Sequence, residues 1–283
     1  MATQTTGLAS WRNLDQLLGA DCLRIASYNI HRCVGNDRRS DAARVARVVA
    51  ELNCDTIGLQ EVDNQPDRGH DSMQLDFLAH ASGMVPIAGH TIVRREGHYG
   101  NALLTRRPII SVREHDLSYR RREPRGALEA ALDVEGELVR VIVMHLGLIP
   151  AERRYQVQKM LALLHDIPVG ETVVVLGDIN EWLPLGRPLR WLHGIFGHVP
   201  AERSFPAWLP MFALDRVWVR PRHNLLAFET HRTPASRAAS DHLPVKAIIA
   251  TGPHPTPHQR AVHDALGNGS PADRRGAAQP AEI

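Results

Sequence analysis

Five β-like runs of this 283-residue chain end in side chains that a buried strand does not tolerate unpaired. They are SYNIH with Asn29, LQEVD with Glu61, MHLGL with His145, GDINEW with Asp178 and Asn180, and LDRVW with Asp215. A sixth segment, SDHLPV, sets Asp241 and His242 immediately before the last run. Burying a lone charge costs several kcal/mol. Singly, each residue has an ordinary explanation. Asn29 is a turn residue, Glu61 a solvated terminus, His145 a satisfied core histidine. Asp178-Ile179-Asn180 is an Asx-turn, Asp215 a surface partner of Arg216 or another Arg, and Asp241-His242 a cap. Taken together, these explanations require period-two strands to break pattern at the same end by accident. One shared polar pocket accounts for all six.

The runs themselves fall at 23–30, 55–62, 84–93, 100–105, 109–118, 126–134, 138–146, 172–179, 213–220, 223–230 and 243–250. Between the first two, residues 40–53 place Ala43, Val45, Ala46, Val48, Val49 and Leu52 on one helical face, with Ser40 or Asp41 as cap. That order predicts a β-α-β opening with parallel pairing. Further helices are expected at 72–82 and 151–166, with a short one inside 183–210. VEGELV at 134–139 reads as a hairpin link. The pattern predicts two packed sheets with helices outside, in one domain over 21–250. Residues 1–20 are expected to be partly ordered. The Pro-rich stretch 251–283 is too poor in bulky apolar residues to offset its ordering entropy, and is expected to be a disordered tail.

Composition limits the function classes. Lys plus Arg is 33 and Asp plus Glu is 31, so the net charge of +2 offers no global argument for a nucleic-acid partner. Cys22, Cys33 and Cys54 fit neither a zinc module nor a disulfide framework, and read as small buried hydrophobes in a reducing compartment. No basic region followed by an apolar stretch opens the chain. The most apolar stretch, 138–150, carries Arg140 and His145 and is too short to span a bilayer. A cytoplasmic location is expected, with peripheral membrane contact left open.

The six motifs, in this order, resemble those of the endonuclease/exonuclease/phosphatase (DNase I-like) superfamily. That fold class includes DNase I, apurinic endonucleases, inositol polyphosphate 5-phosphatases and neutral sphingomyelinases. The resemblance covers 23–250 and implies a four-layer α/β/β/α sandwich of two mixed sheets flanked by helices. It also implies a metal-dependent hydrolase of phosphate ester bonds. A phosphoester repels nucleophiles, so its cleavage calls for a Lewis acid, an activated in-line water and stabilisation of the leaving oxygen. The resemblance makes Glu61 the principal ligand of Mg2+, or alternatively Mn2+, with Asn29 beside it and Asp241 nearby. Asp178 accepts a proton from water or holds that water, and Asn180 donates to a phosphate oxygen. His242 is oriented by Asp215, leaving either Asp178 or His242 as the base. His145 hydrogen-bonds a non-bridging oxygen or protonates the leaving group. Asn101 is expected to orient His145 at the substrate phosphate.

Two stretches bear on the substrate. YRRREPR, 119–125, reads either as a solvated loop or as a phosphate clamp through Arg125. The segment 183–212, rich in Leu, Trp and Phe, reads either as core plus lid or as an apolar rim for lipid or a bulky leaving group. A phospholipid or other small phosphodiester is therefore expected ahead of a nucleic acid. No protein partner is expected. A noncatalytic binding protein on the same fold is the third reading, and the full set of competent residues weighs against it.

Overall fold

The computed structural model describes residues 22–65, 73–95 and 97–251. The opening unit is β1 (Cys22–Asn29), α1 (Ala42–Leu52) and β2 (Thr56–Asn64). Then follow α2 (Gln74–Ser82), β3 (Val85–Arg94), β4 (Gly97–Thr105), β5 (Ile109–Asp116), β6 (Gly126–Val134) and β7 (Glu137–His145). The chain continues with α3 (Pro150–His165), β8 (Thr172–Asp178), α4 (Arg187–Phe196), β9 (Asp215–Arg220), β10 (Leu225–Thr230), α5 (Pro234–Ala239) and β11 (Val245–Ala250).

The strands form two mixed sheets, ordered β10-β11-β1-β2-β4-β3 and β5-β6-β7-β8-β9. Only β1/β2 and β7/β8 pair in parallel, each across a helix, α1 or α3; every other pair is antiparallel. Period-two alternation explains why both faces of the central strands are apolar. Val139, Val141 and Val143 of β7 face the other sheet, while Ile142 and Met144 face the helices. Three apolar layers result. One lies between the sheets, one packs α1, α2 and α5 on the first sheet, and one packs α3 and α4 on the second. This is the expected four-layer sandwich.

Local chemistry sets the element ends. Asp41, not Ser40, caps α1 by accepting from the Arg44 amide at 2.8 Å. The buried face of α1 is Ala42, Val45, Val48, Val49 and Leu52; Ala43, expected on it, is exposed. The β6–β7 hairpin turns through Glu135 and Gly136, both at positive φ, as a two-residue loop matched to strand twist demands. Helix α5 had no apolar run to announce it; Thr233 and Ser236 hold it in a capping box. The three cysteines are buried, and none forms a disulfide. The expectations for residues 1–20 and for the tail from 252 onward lie outside the described residues. Among the described residues no helix is long and apolar enough to cross a membrane.

Candidate active site

The polar strand ends meet in one cleft of about 350 Å³, lined by Glu61, His145, Asp178, Asn180, Asp241 and His242 among others. Strand register brings them together. His145 and Asp178 are direct partners across parallel β7/β8, and Asp178 faces Asp215 across antiparallel β8/β9. Asp215 opens its strand rather than closing it, but the antiparallel course of β9 puts it at the same end. Gly177, at φ +145°, lets β8 pass the β7 backbone; a Cβ there would run into the Met144 carbonyl.

Glu61 reaches the cleft by a bulge. The β2/β4 register shifts between Leu59 and Val62, and Glu61 sits at φ +58°. A left-handed glutamate costs about 1 kcal/mol or more, and the bulge re-aims its side chain. Asn29 ties this carboxylate to the next: its Nδ2 donates to Glu61 Oε1 and to Asp178 Oδ2, each at 3.1 Å. Asn29 Oδ1 accepts from the His31 amide at 3.0 Å, which fixes the orientation of the side-chain amide. Beyond it, His31, Arg32 and Cys33 are consecutively left-handed, at φ 47°, 53° and 58°. This strained turn carries Arg32 to the cleft wall.

The second half of the site is a chain of polar contacts. His242 Nδ1 lies 2.8 Å from Asp215 Oδ2, and His242 Nε2 lies 3.6 Å from Asp178 Oδ2. Ser204 Oγ donates to Asp215 Oδ2 at 2.6 Å. Ser240 Oγ donates to the Asn29 carbonyl at 2.7 Å and accepts from the His242 amide at 3.2 Å, joining the two halves. Ser240 stood inside the quoted SDHLPV motif, but Ser204 had no sequence signal; its position follows from the cross-loop pairing of Phe205 with Phe212.

Electrostatics assign protonation. Burial opposes charge on His242, yet the Asp215 and Asp178 carboxylates and the Asp215 hydrogen bond outweigh it and push the pKa up to about 10. Burial raises Asp178 to about 6, the nearby Asp215 charge adding to it, while His242 and hydrogen bonds from Asn180 and Asn29 pull the other way. Burial also drives His145 well below the ordinary histidine range, helped by the charges of Arg125 and His242. Arg125 Nη1 can only donate, so His145 Nδ1, 2.9 Å away, accepts. His145 Nε2 lies between Asn180 Nδ2, a donor at 3.1 Å, and the Asp178 Oδ2 acceptor at 3.4 Å.

Two side chains make other contacts than expected, and two stretches divide between their alternative readings. Asn101 does not orient His145, whose Nδ1 is taken by Arg125; Asn101 Nδ2 donates instead to the Gly126 carbonyl at 2.8 Å. Asn180 Nδ2 already donates to the Leu146 carbonyl at 2.9 Å and lies 3.1 Å from His145 Nε2, so it is a brace before it is a phosphate donor. The Arg-rich loop divides: Arg120, Arg121 and Arg122 are exposed, while Arg125 is buried at the cleft. The segment 183–212 divides too. Leu189, Leu192 and Phe196 are core, while Leu183, Leu185, Trp208, Leu209 and Met211 are exposed.

The donor set fits a hard divalent cation. Glu61 and Asp241 line the shared cleft, and Glu61 Oε2 and Asp241 Oδ2 have no hydrogen-bond partner among the described residues. Asp178, Asp215 and His242 also bring ligand atoms within 4.8 Å of one another. In that trio, however, Asp215 and His242 are bonded to each other, and Asp215 is fully buried. The trio and the Glu61 and Asp241 carboxylates lie side by side at the same end of the sandwich.

The sequence matches the model of the Endonuclease/Exonuclease/phosphatase family over residues 26–242. It is 32% identical to YbhP of Escherichia coli K12, covering 80% of this chain and 95% of that protein. The match to cwh43 of Schizosaccharomyces pombe is 30% identical and covers 54% of this chain but 15% of the larger protein. Among solved structures, the fold is similar to an endonuclease/exonuclease/phosphatase of Bacteroides vulgatus, with a TM-score of 0.66 at 17% identity over 81% of this chain and 99% of that one. It is also similar to TDP2 of D. rerio in complex with a single-strand DNA product, with a TM-score of 0.59 at 17% identity over 81% and 99% of the two chains.

Proposed function

The chain belongs to the endonuclease/exonuclease/phosphatase family of phosphoester-hydrolysing enzymes, and from that premise we propose that it hydrolyses a phosphodiester with an apolar substituent, a phospholipid or other small phosphodiester. The observation that carries this reading is the asymmetry of the cleft. Leu148, Trp182, Phe205 and Leu214 line it, and Trp182 is braced edge-on against Phe205 and Phe212. Leu183, Leu185, Trp208, Leu209 and Met211, close in sequence to Trp182, Phe205 and Phe212, are exposed, Leu185 81% and Trp208 64%. An apolar cleft wall with exposed apolar side chains in the same segments is suited to an amphipathic substrate at a lipid–water boundary. Arg32, Arg94 and Arg125 also line the cleft and meet the phosphate charge.

A bound divalent cation, Mg2+ or Mn2+, supplies Lewis-acid polarisation of the phosphoryl oxygens and stabilises the leaving alkoxide. Glu61 and Asp241 are its proposed holders, with Asn29 fixing Glu61. At neutral pH Asp178 is ionised and His242 is an imidazolium. Asp178 is therefore the base that takes the proton from the attacking water. His242, held by Asp215, keeps Asp178 charged and offers Nε2–H to the anionic phosphoryl group. Neutral His145 donates from Nε2 to a non-bridging oxygen.

The nucleic-acid alternative draws on exposed Arg120, Arg121 and Arg122 and on the TDP2 likeness, which extends to the fold. A panel of sphingomyelin, phosphatidylinositides, supercoiled plasmid and abasic duplex, each with Mg2+ at physiological salt, separates the two. Turnover of a lipid with little or none of plasmid is expected. Cleavage of plasmid or abasic duplex alone rejects the lipid reading.

A further inference from the structure

Beyond the last paired residues of β7 and β8, His145 and Asp178, the chain leaves the sheet in two loops that run to α3 and α4. The first carries Leu148 and the second Trp182, both on the apolar wall of the cleft. Strand register does not extend to either residue. A buried ion pair joins the two loops instead. Arg153 Nε, from the first turn of α3, donates to Glu181 Oε2 at 3.2 Å, and both side chains are 4% exposed.

Each partner also holds the backbone beside one wall residue. Arg153 Nη1 donates to the Leu148 carbonyl at 2.6 Å and to the Gly147 carbonyl at 3.3 Å. Gln156 Oε1, further along α3, accepts from the Gly147 amide at 2.8 Å. Glu181 Oε1 accepts from the Leu183 amide at 3.1 Å, a bond that spans Trp182. A Cβ at Gly186 would strike the Glu181 carboxylate, so the second loop closes directly onto it. Phe205 and Phe212 contact the Trp182 ring, whereas the Glu181 bond fixes the backbone on either side of it. The catalytic side chains are held by other means. His145 and Asp178 are register partners, the Leu146 amide donates to the Asp178 carbonyl at 2.9 Å, and Asn180 is braced on the Leu146 carbonyl.

A buried ion pair returns little net stability, because both ions lose their water. A planar guanidinium does, however, present separate N–H groups in a fixed fork. Here one goes to Glu181 and another to the Leu148 loop. We infer that Arg153 and Glu181 are positioning residues that set the separation of Leu148 and Trp182, and through it the preference for an apolar substituent on the phosphodiester; this rests on the reading of the chain as a phosphodiesterase.

Methyl and octyl p-nitrophenyl phosphate share a leaving group and differ only in the apolar substituent. The ratio of their kcat/KM values with Mg2+ therefore reports the wall, and the parent is expected to prefer the octyl ester. In Arg153→Lys a single ammonium cannot serve Glu181 and both carbonyls. In Glu181→Gln one of the two acceptor oxygens is gone. Each variant should raise KM for the octyl ester about tenfold, the low end of what one methylene is worth in an apolar pocket. The kcat values and the KM of the methyl ester should stay close to the parent's, whereas a general loss of structure would lower both esters alike. A second readout needs no turnover. With fluorotryptophan in place of tryptophan, the fluorine NMR line that Trp182→Phe removes reports that ring. It should shift or broaden in both variants while the line of core Trp218 holds. An octyl preference that survives both substitutions, or a Trp182 line unmoved by them, overturns the inference. A parent that cleaves neither ester, or both equally well, while the Trp182 line moves in the variants, rejects the underlying reading and leaves Arg153 and Glu181 as the residues that hold the wall.

Discussion

At the scale of single residues, the division of labour between Asp178 and His242 follows from their surroundings. Two buried carboxylates flank one imidazole, so the imidazole takes the proton. Activity that needs ionised Asp178 and protonated His242 should rise with pH through about 6 and fall toward about 10. Asp215→Asn removes the carboxylate that raises His242. The alkaline limb of the kcat profile should then move down by about 1–3 pH units. An unmoved limb contradicts this assignment. The same linkage bears on stability. The folded pKa of His242 is raised, so its contribution is complete below about 6.5, its ordinary value, and is lost as pH rises through about 10. The residue types and order of this site were legible in the six motifs. Protonation was not, because it depends on which carboxylates face the ring. Arg125 was singled out from its place before β6, but its contact with His145 depends on register across β6 and β7.

At the scale of elements, every strand of the two sheets was visible as a β-like run, and the parallel β1/β2 pair followed from the intervening helix. The sequence was less informative where backbone rather than side chains decides. Neither the Glu61 bulge nor the left-handed turn at His31, Arg32 and Cys33 contains glycine, the residue that usually marks positive φ. Helix α5, six residues long, is defined by its cap and not by an apolar face. Two substitutions separate scaffold from site. Asp41→Ala removes the α1 cap and should cost about 1 kcal/mol in urea unfolding, with kcat unchanged. Gly177→Ala places a methyl against the Met144 carbonyl at a backbone angle alanine avoids. It should cost more than about 1 kcal/mol and also depress kcat, because Asp178 follows directly. A Gly177→Ala protein as stable and active as the parent would show that the β7/β8 approach does not position the site.

At the scale of the whole molecule, two sheets with helices outside converge six sequence-distant segments at one end of the sandwich. The layer count was legible from strand number and from apolar faces on both sides of the central strands. The split of 183–212 into core and exposed wall was not, since Leu and Trp carry the same hydropathy in either place and only packing against Trp218 and Leu164 separates them. The central claim is that these ends surround one divalent cation that activates a phosphodiester. Initial rates on bis-p-nitrophenyl phosphate test it most directly, measured for the parent and for Glu61→Gln with Mg2+, with Mn2+ and with EDTA. The account predicts hydrolysis by the parent with either cation, none with EDTA, and a loss of about 10²–10⁴-fold in Glu61→Gln. Undiminished hydrolysis in EDTA, or a Glu61→Gln enzyme as fast as the parent, would contradict it.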